Sequence, residues 1–398
     1  MIRYEEALEK VLKNTKPLPL EKVLIEDSLG RVLKEDIYSK IEMPPFDKAA
    51  MDGYALNAQD LKVAPKKLRV IGLIQAGDSF KKKIKRGECV KIMTGAPLPA
   101  GADSVIMGED TRQFGEYVKI TKIVRKGENI CFQGEDLKAG QKVLSRGTVI
   151  SSSQVAVLAT VGKSFVRLSR KPKVCILNTG GEIVRPGVKL GKNQIYNSNG
   201  PMLKALLESD GIKSGSLGIV KDNEEELKKA IKNGLKSDVL LISGGVSMGE
   251  YDLIPKVLVS LGVKKIFHKV NIKPGKPLFF GLKDKTLIFG IPGNPVSNFS
   301  SYLIFIRPAL YKILGQPDSQ PEFKTGLVDR EFYAKTGRKH FVPVKINRFG
   351  NGYRLTPVSS HGSADILALA NSDGFMVVEE DCSVIKKNSK IKFITWKI

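Results

Sequence analysis

The feature that most restricts this chain is the rhythm of its middle. After "SRKPK", short apolar runs alternate with helical text: "KVCILNTG", "NSNGPMLKALLESDG", "SGSLGIV", "DNEEELKKAIKNGL", "DVLLISGG" and "LIPKVLVSLG". "TLIFGI" and the long "NPVSNFSSYLIFIRPALYKILG" follow. Alternation of this kind predicts a mostly parallel sheet covered by helices on both faces, an α/β three-layer domain over residues 171–317. In such sheets ligands bind beyond the carboxyl ends of the strands, where the loops emerge. Those loops are therefore where a binding site is expected.

The flanking text has other rhythms, so the whole reads as an α/β multidomain chain. Tyr4, Ala7, Leu8, Val11 and Leu12 recur at helical spacing, and the helix they predict ends near the prolines of "KNTKPLPL". A short helix is expected around "IEDSLGRVL", and another over "SSSQVAVLATVG", which opens with capping serines. Residues 1–40 and 139–170 thus form a split helical and linker region. Between them, residues 41–138 carry short apolar runs broken by Gly and Pro, the text of a β-rich module. Residues 318–398 return to strand-like runs such as "KHFVPVKI", "YRLTPV" and "GFMVVEE", which predict a small β-barrel or sandwich.

Bulk properties exclude several classes. At 398 residues, 42% hydrophobic and 27% charged, the chain has the balance of a soluble protein with several domains. A formal charge of +24 attracts polyanions, yet lysine runs such as "KKKIKR" lack interleaved aromatics, so nucleic acid is not the expected partner. Cys89, Cys131, Cys175 and Cys382 are widely spaced, which fits neither a zinc knuckle nor a disulfide framework. The N-terminus lacks a secretory pattern, and "SSYLIFIRPAL" is too short to span a membrane, so a cytoplasmic protein without membrane association is expected.

Three strand-end loops place a carboxylate beside glycine or amide groups: "NTGGEI" with Gly180, Gly181 and Glu182, "VKDNEEEL" with Asp222, and "SGGVSMGEYD" with Ser243, Gly244, Gly245, Ser247, Glu250 and Asp252. A fourth, "GIPGNPVSNF", offers Pro292, Gly293 and Asn294 without an acid. Glycines let a backbone approach a ligand, and amides at a helix start favour an anion. Acids beside a phosphate site make sense when a hard cation sits between them, and Mg²⁺ is usually held by one or two carboxylates with phosphate oxygens and water. The plainer alternative for Asp222 and Asp252 is that each caps a helix. "NIKPGKPLFFG" displays Lys273 and Lys276, either an anion clamp or an exposed turn with solvated lysines. Asp47, Lys48, Asp52, Thr94 and Asp103 stand in Gly/Pro-rich stretches of the β-rich module, where turn formation alone would account for them. His268, His340 and His361 assemble into no nucleophile-His-acid or H-E-x-x-H pattern.

"PPFDKAAMDGYA", "MTGAPLPAGAD", "GENICFQGEDL", "NTGGEI", "IYNSNGPML", "SGGVSMGEYD", "IKPGKP" and "GIPGNPVSNF" occur in that order, and together the chain resembles the molybdopterin molybdenumtransferases, the MoeA and gephyrin E-domain family. The resemblance implies an enzyme that joins molybdate to adenylylated molybdopterin with Mg²⁺ and releases AMP. It also implies a homodimer with an active site shared between subunits, a C-terminal β-barrel, and the adenylyltransferase and molybdoenzyme apoproteins as partners. By motif it assigns Asp52, Thr94, Glu182, Asp222 and Asp252 to catalysis, with Glu182 and Asp252 handling the metal. The glycine loops with Ser243, Ser247, Pro292 and Asn294 would bind substrate, and Lys273, Lys276, Arg338 and Ser363 would receive oxyanion oxygens. The chain departs from the pattern at Gly181, where many relatives carry an acid, and at Cys131 and Gln133, where relatives often place arginines. Asp136 is a further candidate without an assigned role. Two rival readings are a molybdopterin adenylyltransferase, whose single domain resembles residues 172–316, and a scaffold of the gephyrin type with little catalysis.

Overall fold

The computed structural model describes residues 1–246 and 253–396, so Ser247, Glu250 and Asp252 lie outside the described residues. The chain divides into two compact units: residues 1–23, 27–34 and 167–398 form one, and residues 24–26 and 35–166 the other. The first element, α1 (Tyr4–Lys13), buries Tyr4, Ala7, Leu8, Val11 and Leu12, the stripe its spacing predicts. The helix expected around "IEDSLGRVL" is instead a three-residue 3₁₀ turn at Ile25–Asp27. Gly30, at φ +73°, supplies the turn geometry that interrupts any longer helix.

The smaller unit is built on a six-stranded sheet of β1 (Gly53–Leu56), β2 (Lys66–Ile74), β3 (Glu88–Ile92), β4 (Ser104–Met107), β5 (Thr111–Phe114) and β6 (Tyr117–Ile120), in the order β4-β1-β3-β2-β6-β5. Two apolar clusters, one around Leu56, Leu68 and Val118 and one around Ala55, Val90 and Val105, occupy its opposite faces. The unit also holds α2 (Ser152–Thr160), whose entry is fixed by Gln154 Oε1 accepting from the Ser151 N–H at 3.1 Å.

The larger unit contains the predicted α/β layers. In chain order these are β7 (Val174–Thr179), α3 (Asn199–Ser209), β8 (Ser214–Val220), α4 (Glu224–Gly234), β9 (Val239–Ser243), α5 (Leu253–Ser260), β10 (Lys264–His268), β11 (Ile272–Lys273), β12 (Phe279–Lys283), β13 (Thr286–Ile291), α6 (Pro295–Ser301) and α7 (Arg307–Leu314). The sheet order is β8-β7-β9-β13-β12-β10; the first four strands run parallel, while β12 and β10 continue it antiparallel. β9 and β13 are buried at every position, as strands covered on both faces must be. One face packs Leu203, Leu207, Leu303 and Leu310 with α1, and the other packs Leu227, Ile231, Val257 and Leu258. Between α6 and α7 a π-helical turn at Tyr302–Ile306 breaks what reads in sequence as one long helix.

The C-terminal text forms the barrel. β14 (Lys324–Val328), β15 (Lys339–Phe349), β16 (Gly352–Pro357), β17 (Gly374–Val378) and β18 (Lys390–Thr395) pair in the closed cycle β15-β16-β14-β18-β17-β15. β15 closes it because its eleven residues pair with β17 in the first part and with β16 in the second. β11 adds to its rim, pairing Lys273 with His340. No helix among the described residues is long and apolar enough to cross a membrane.

Candidate active site

The order β8-β7-β9 sends the chain away from β7 in opposite directions, creating the switch point at which such sheets bind ligands. A cavity of about 730 Å³ opens there. Its floor depends on glycine. Gly244 has φ +99°, and a Cβ at that position would lie 2.5 Å from the Thr179 carbonyl oxygen, so only glycine lets the ends of β9 and β7 meet. Gly180 is favoured by its backbone, at φ +142°, and the carboxylate of the exposed Glu182 lies 2.7 Å from where a Cβ would stand. Gly181 borders open space and lacks the left-handed backbone.

Glu182 and Asp222 both line this cavity, together with Gly180, Ser243, Gly244, Gly245, Pro292, Gly293 and Asn294. The capping alternative for Asp222 is overturned. The N-cap of α4 is Asn223, whose side-chain oxygen accepts from the N–H groups of Glu225 and Glu226 at 3.0 and 3.2 Å. Asp252, the acid expected to share a metal with Glu182, lies outside the described residues, as does Ser247. Among the described residues no three acidic, His or Cys side chains converge as a metal cluster.

Sequence reasoning passed over a set of neutral groups at the same place. The Asn199 amide donates to the Gly293 carbonyl at 2.6 Å and to Ser243 Oγ at 3.1 Å. Asn298, fully buried in α6, donates to Ser243 Oγ at 2.8 Å and to the Pro292 carbonyl at 3.3 Å. These bonds tie the "SGG" and "IPGNP" loops to one serine. Asn178 Oδ1, Thr179 Oγ1, Asn199 Oδ1 and Asn298 Oδ1 are buried without a hydrogen-bond partner among the described residues. Unsatisfied polar atoms are rare in folded proteins, and their concentration at one strand mouth marks a place made to meet a ligand, an ion or water. The only trace in sequence is the recurrence of Asn beside a small residue or threonine in "NTGG", "NSNG" and "VSNF".

A second cavity, of about 520 Å³, shares Pro277, Pro292 and Asn294 with the first and reaches the barrel rim. Lys273, Lys276, Arg338, His340 and Ser363 line it; of the two lysines of "KPGKP", Lys273 is half-buried and Lys276 remains exposed. Asn294 donates to Ser363 Oγ at 2.8 Å, and the Val296 N–H donates to the Ser363 carbonyl at 3.1 Å, joining barrel loop to α/β loop. Burial holds the Lys273 ammonium below its ordinary pKa, and the nearby positive charges of Arg338 and Lys335 add to the effect. Burial, then Lys273 and Arg338, push His340 down to about 4, so its ring is neutral at neutral pH. No motif had pointed to His340.

In the smaller unit Asp52 and Thr94 are direct partners. Asp52 Oδ1 accepts from both the N–H and the hydroxyl of Thr94 at 2.7 Å, and these bonds hold its carboxyl below the usual range. Asp103 keeps the turn role its surroundings allowed, accepting from the Ala58 N–H at 2.7 Å. Gln133 donates its N–H to Asp47 at 2.8 Å and its side chain to Glu42, so the loop that carries it binds acids internally.

Three family models match in succession: the MoeA N-terminal region (domain I and II) over residues 2–162, a probable molybdopterin binding domain over 175–312, and the MoeA C-terminal region (domain IV) over 325–396. The molybdopterin molybdenumtransferase of Staphylococcus epidermidis is 32% identical over 382 residues, covering 95% of this chain and 91% of that protein. Its counterpart in Staphylococcus aureus is 32% identical over 377 residues, covering 94% and 90%. Two crystal structures of the molybdopterin biosynthesis MoeA protein from Pyrococcus horikoshii superpose with TM-scores of 0.84 and 0.80, at 33% and 30% identity, each covering 100% of both chains. A likeness running through all three regions does not fit a single-domain adenylyltransferase; the chain belongs to the molybdopterin molybdenumtransferase (MoeA) family, the enzymes of molybdenum cofactor biosynthesis.

Proposed function

We propose that this enzyme joins molybdate to the dithiolene of adenylylated molybdopterin, with Mg²⁺, and releases AMP as a water or molybdate oxygen attacks the pyrophosphate and takes the place of the leaving oxygen. The observation that carries this reading is a pair of contiguous cavities of opposite character. One is lined by Glu182, Asp222 and neutral amides, the other by Lys273, Lys276 and Arg338, and they share a wall at Pro277, Pro292 and Asn294. A nucleotide with a metal suits the first, and a tetrahedral oxyanion suits the second.

The donors at the first cavity are all oxygen atoms: the carboxylates of Glu182 and Asp222 and the unpartnered oxygens of Asn178 and Thr179. That set fits a hard cation, with Glu182 and, from the sequence reading, Asp252 as the residues that would hold it. Mg²⁺ held there would supply charge compensation to the pyrophosphate from which AMP leaves. The protein's own part is to position. Backbone at Gly180, Gly244 and Gly245 lets phosphate approach closely, while Lys273, Lys276, Arg338 and Ser363 hold the oxyanion beside the sulfurs. We further propose that the enzyme works in the cytoplasm as a homodimer, with Asp52 and Thr94 completing the site of the partner subunit, and that it exchanges cofactor with adenylyltransferase and molybdoenzyme apoproteins.

Glu182→Gln tests the central claim. It should leave the melting temperature unchanged and slow molybdate-dependent AMP release roughly a hundredfold, the scale set by removing one preorganised charge-stabilising group. Normal AMP release by that variant, both with saturating Mg²⁺ and after chelation, would remove Glu182 from the scheme. Turnover by the wild type at the same time separates an enzyme from a scaffold.

A further inference from the structure

We propose that His340 takes up a proton when a tetrahedral oxyanion enters the cavity it lines, so that oxyanion and proton occupy this site together. The inference rests on the reading of that cavity as the oxyanion pocket.

His340 stands on the rim of the barrel, its backbone paired with Lys273 on one side and Val378 on the other. The Phe332 ring lies 6.3 Å away, centroid to centroid. Its Nδ1 is buried and has no hydrogen-bond partner among the described residues, so no hydrogen bond at that atom fixes the state of the ring. The charges that bear on it come from Lys273 on β11 and Arg338 on the approach to its own strand, both cationic, and Lys276 lines the same cavity. On the neighbouring strand, Glu379 follows Val378 but is engaged by Lys339 at 3.0 Å, and Glu380 accepts from Asn271 at 2.7 Å. A dianion among these cations offsets the charges that keep the imidazole neutral and adds an attraction for its protonated form. Nearness suffices for this effect; direct contact is not required.

The proton has a use. Exchange of one oxo group of molybdate for a dithiolate consumes two protons and yields water, with no change in the oxidation state of molybdenum. His340 brings one of these protons and solvent the other.

Linkage fixes the sign. Binding raises the pKa of His340, so affinity is greater at low pH and falls as pH rises through the bound-state value, by up to about tenfold per pH unit. Calorimetric titrations with sulfate and with molybdate, in buffer pairs of different ionisation heat between about pH 5.5 and about pH 7.5, read the proton directly. Sulfate does not titrate in that window and serves as the reference anion. The wild type should take up as much as one proton per anion, and His340→Gln should bind with a flat pH profile and no uptake. The His340 ring resonances, one of only three histidine sets, should show anion-induced protonation in the wild type, which keeps the test available if the variant folds poorly. Flat wild-type binding, or uptake that survives His340→Gln, overturns the proposal while leaving the pocket intact. Absence of anion binding, or binding that survives Lys273→Met with Arg338→Met, overturns the assignment of the pocket and the proton uptake with it.

Discussion

Single residues at the strand mouth are held by contacts that make sharp demands. Gly244 combines φ +99° with a virtual Cβ only 2.5 Å from a carbonyl oxygen, so Gly244→Ala must move the backbone of β7 or β9. The expected loss is about 1 to 3 kcal/mol in a urea melt. Gly181→Asp is the contrast. Its position has open space and no left-handed backbone, so stability should change by less than about 0.5 kcal/mol, with any effect confined to metal or nucleotide affinity. Asp52 makes a pH prediction. The Thr94 N–H, followed by its hydroxyl, lowers the carboxyl pKa in the folded state, so the stability this gives is present above the ordinary carboxylate value and is lost as pH falls through the lowered one. Thr94→Val keeps the N–H and removes the hydroxyl, and a carboxyl-detected NMR titration should show the Asp52 pKa rising part of the way back. Glu182 was legible because two glycines after a strand, followed by an acid, have few other uses, whereas Asp222 follows no glycine and was told from a helix cap only by Asn223 taking that place. Asn199, Asn298 and His340 were not legible, because neutral polar side chains follow no period and their meaning depends on three strand ends converging.

Among the elements, helices and strands whose apolar spacing matched one layer came through as read, and α1 buries the five residues that spacing chose. The segment from Pro295 to Leu314 shows where periodicity runs out. Pro308 lacks the N–H an α-helix needs and crowds the preceding turn; a chain can stop there or widen, and sequence does not choose. Here it widens into the π turn at Tyr302–Ile306. That segment is pinned by a buried hub in which Asp210, at the end of α3, accepts from Tyr302 Oη at 2.7 Å, Arg307 Nε at 2.8 Å and Tyr311 Oη at 3.3 Å. The Asp210 side chain is 6% exposed and that of Arg307 18%. Removing one partner of a buried ion pair leaves the other charge stranded, so Asp210→Ala should cost about 3 to 5 kcal/mol in chemical denaturation. A loss below about 1 kcal/mol would mean that water replaces the carboxylate and that the hub does not hold α7. The strand text left barrel and sandwich open and the family resemblance implied the barrel; closure itself depends on β15 being long enough to serve two neighbours, a matter of register rather than composition.

At the scale of the whole molecule, the residues that the family resemblance assigns to catalysis and oxyanion binding fall in both compact units: Asp52 and Thr94 in the smaller, Glu182 and Lys273 in the larger. If the proposed homodimer shares each site between subunits, the two sets act in trans, and this has a consequence that no single-chain variant reveals. A chain carrying Asp52→Asn and a chain carrying Glu182→Gln are each defective in both sites of their own homodimer. In a mixed dimer both defects fall in one site, and the other is built wholly from native groups. Random reassortment of equal amounts makes about half of the dimers mixed, each with one good site of two, so activity should recover to about a quarter of wild type. The measurement is molybdate-dependent AMP release before and after subunit exchange by mild denaturation and refolding of the pooled variants. Recovery that tracks the mixed-dimer fraction, separated by differently charged tags, establishes a site contributed in trans. Activity that stays at the level of the separate variants, with mixed dimers demonstrably formed, would place Asp52 and Glu182 in the same chain's site or remove one of them from catalysis.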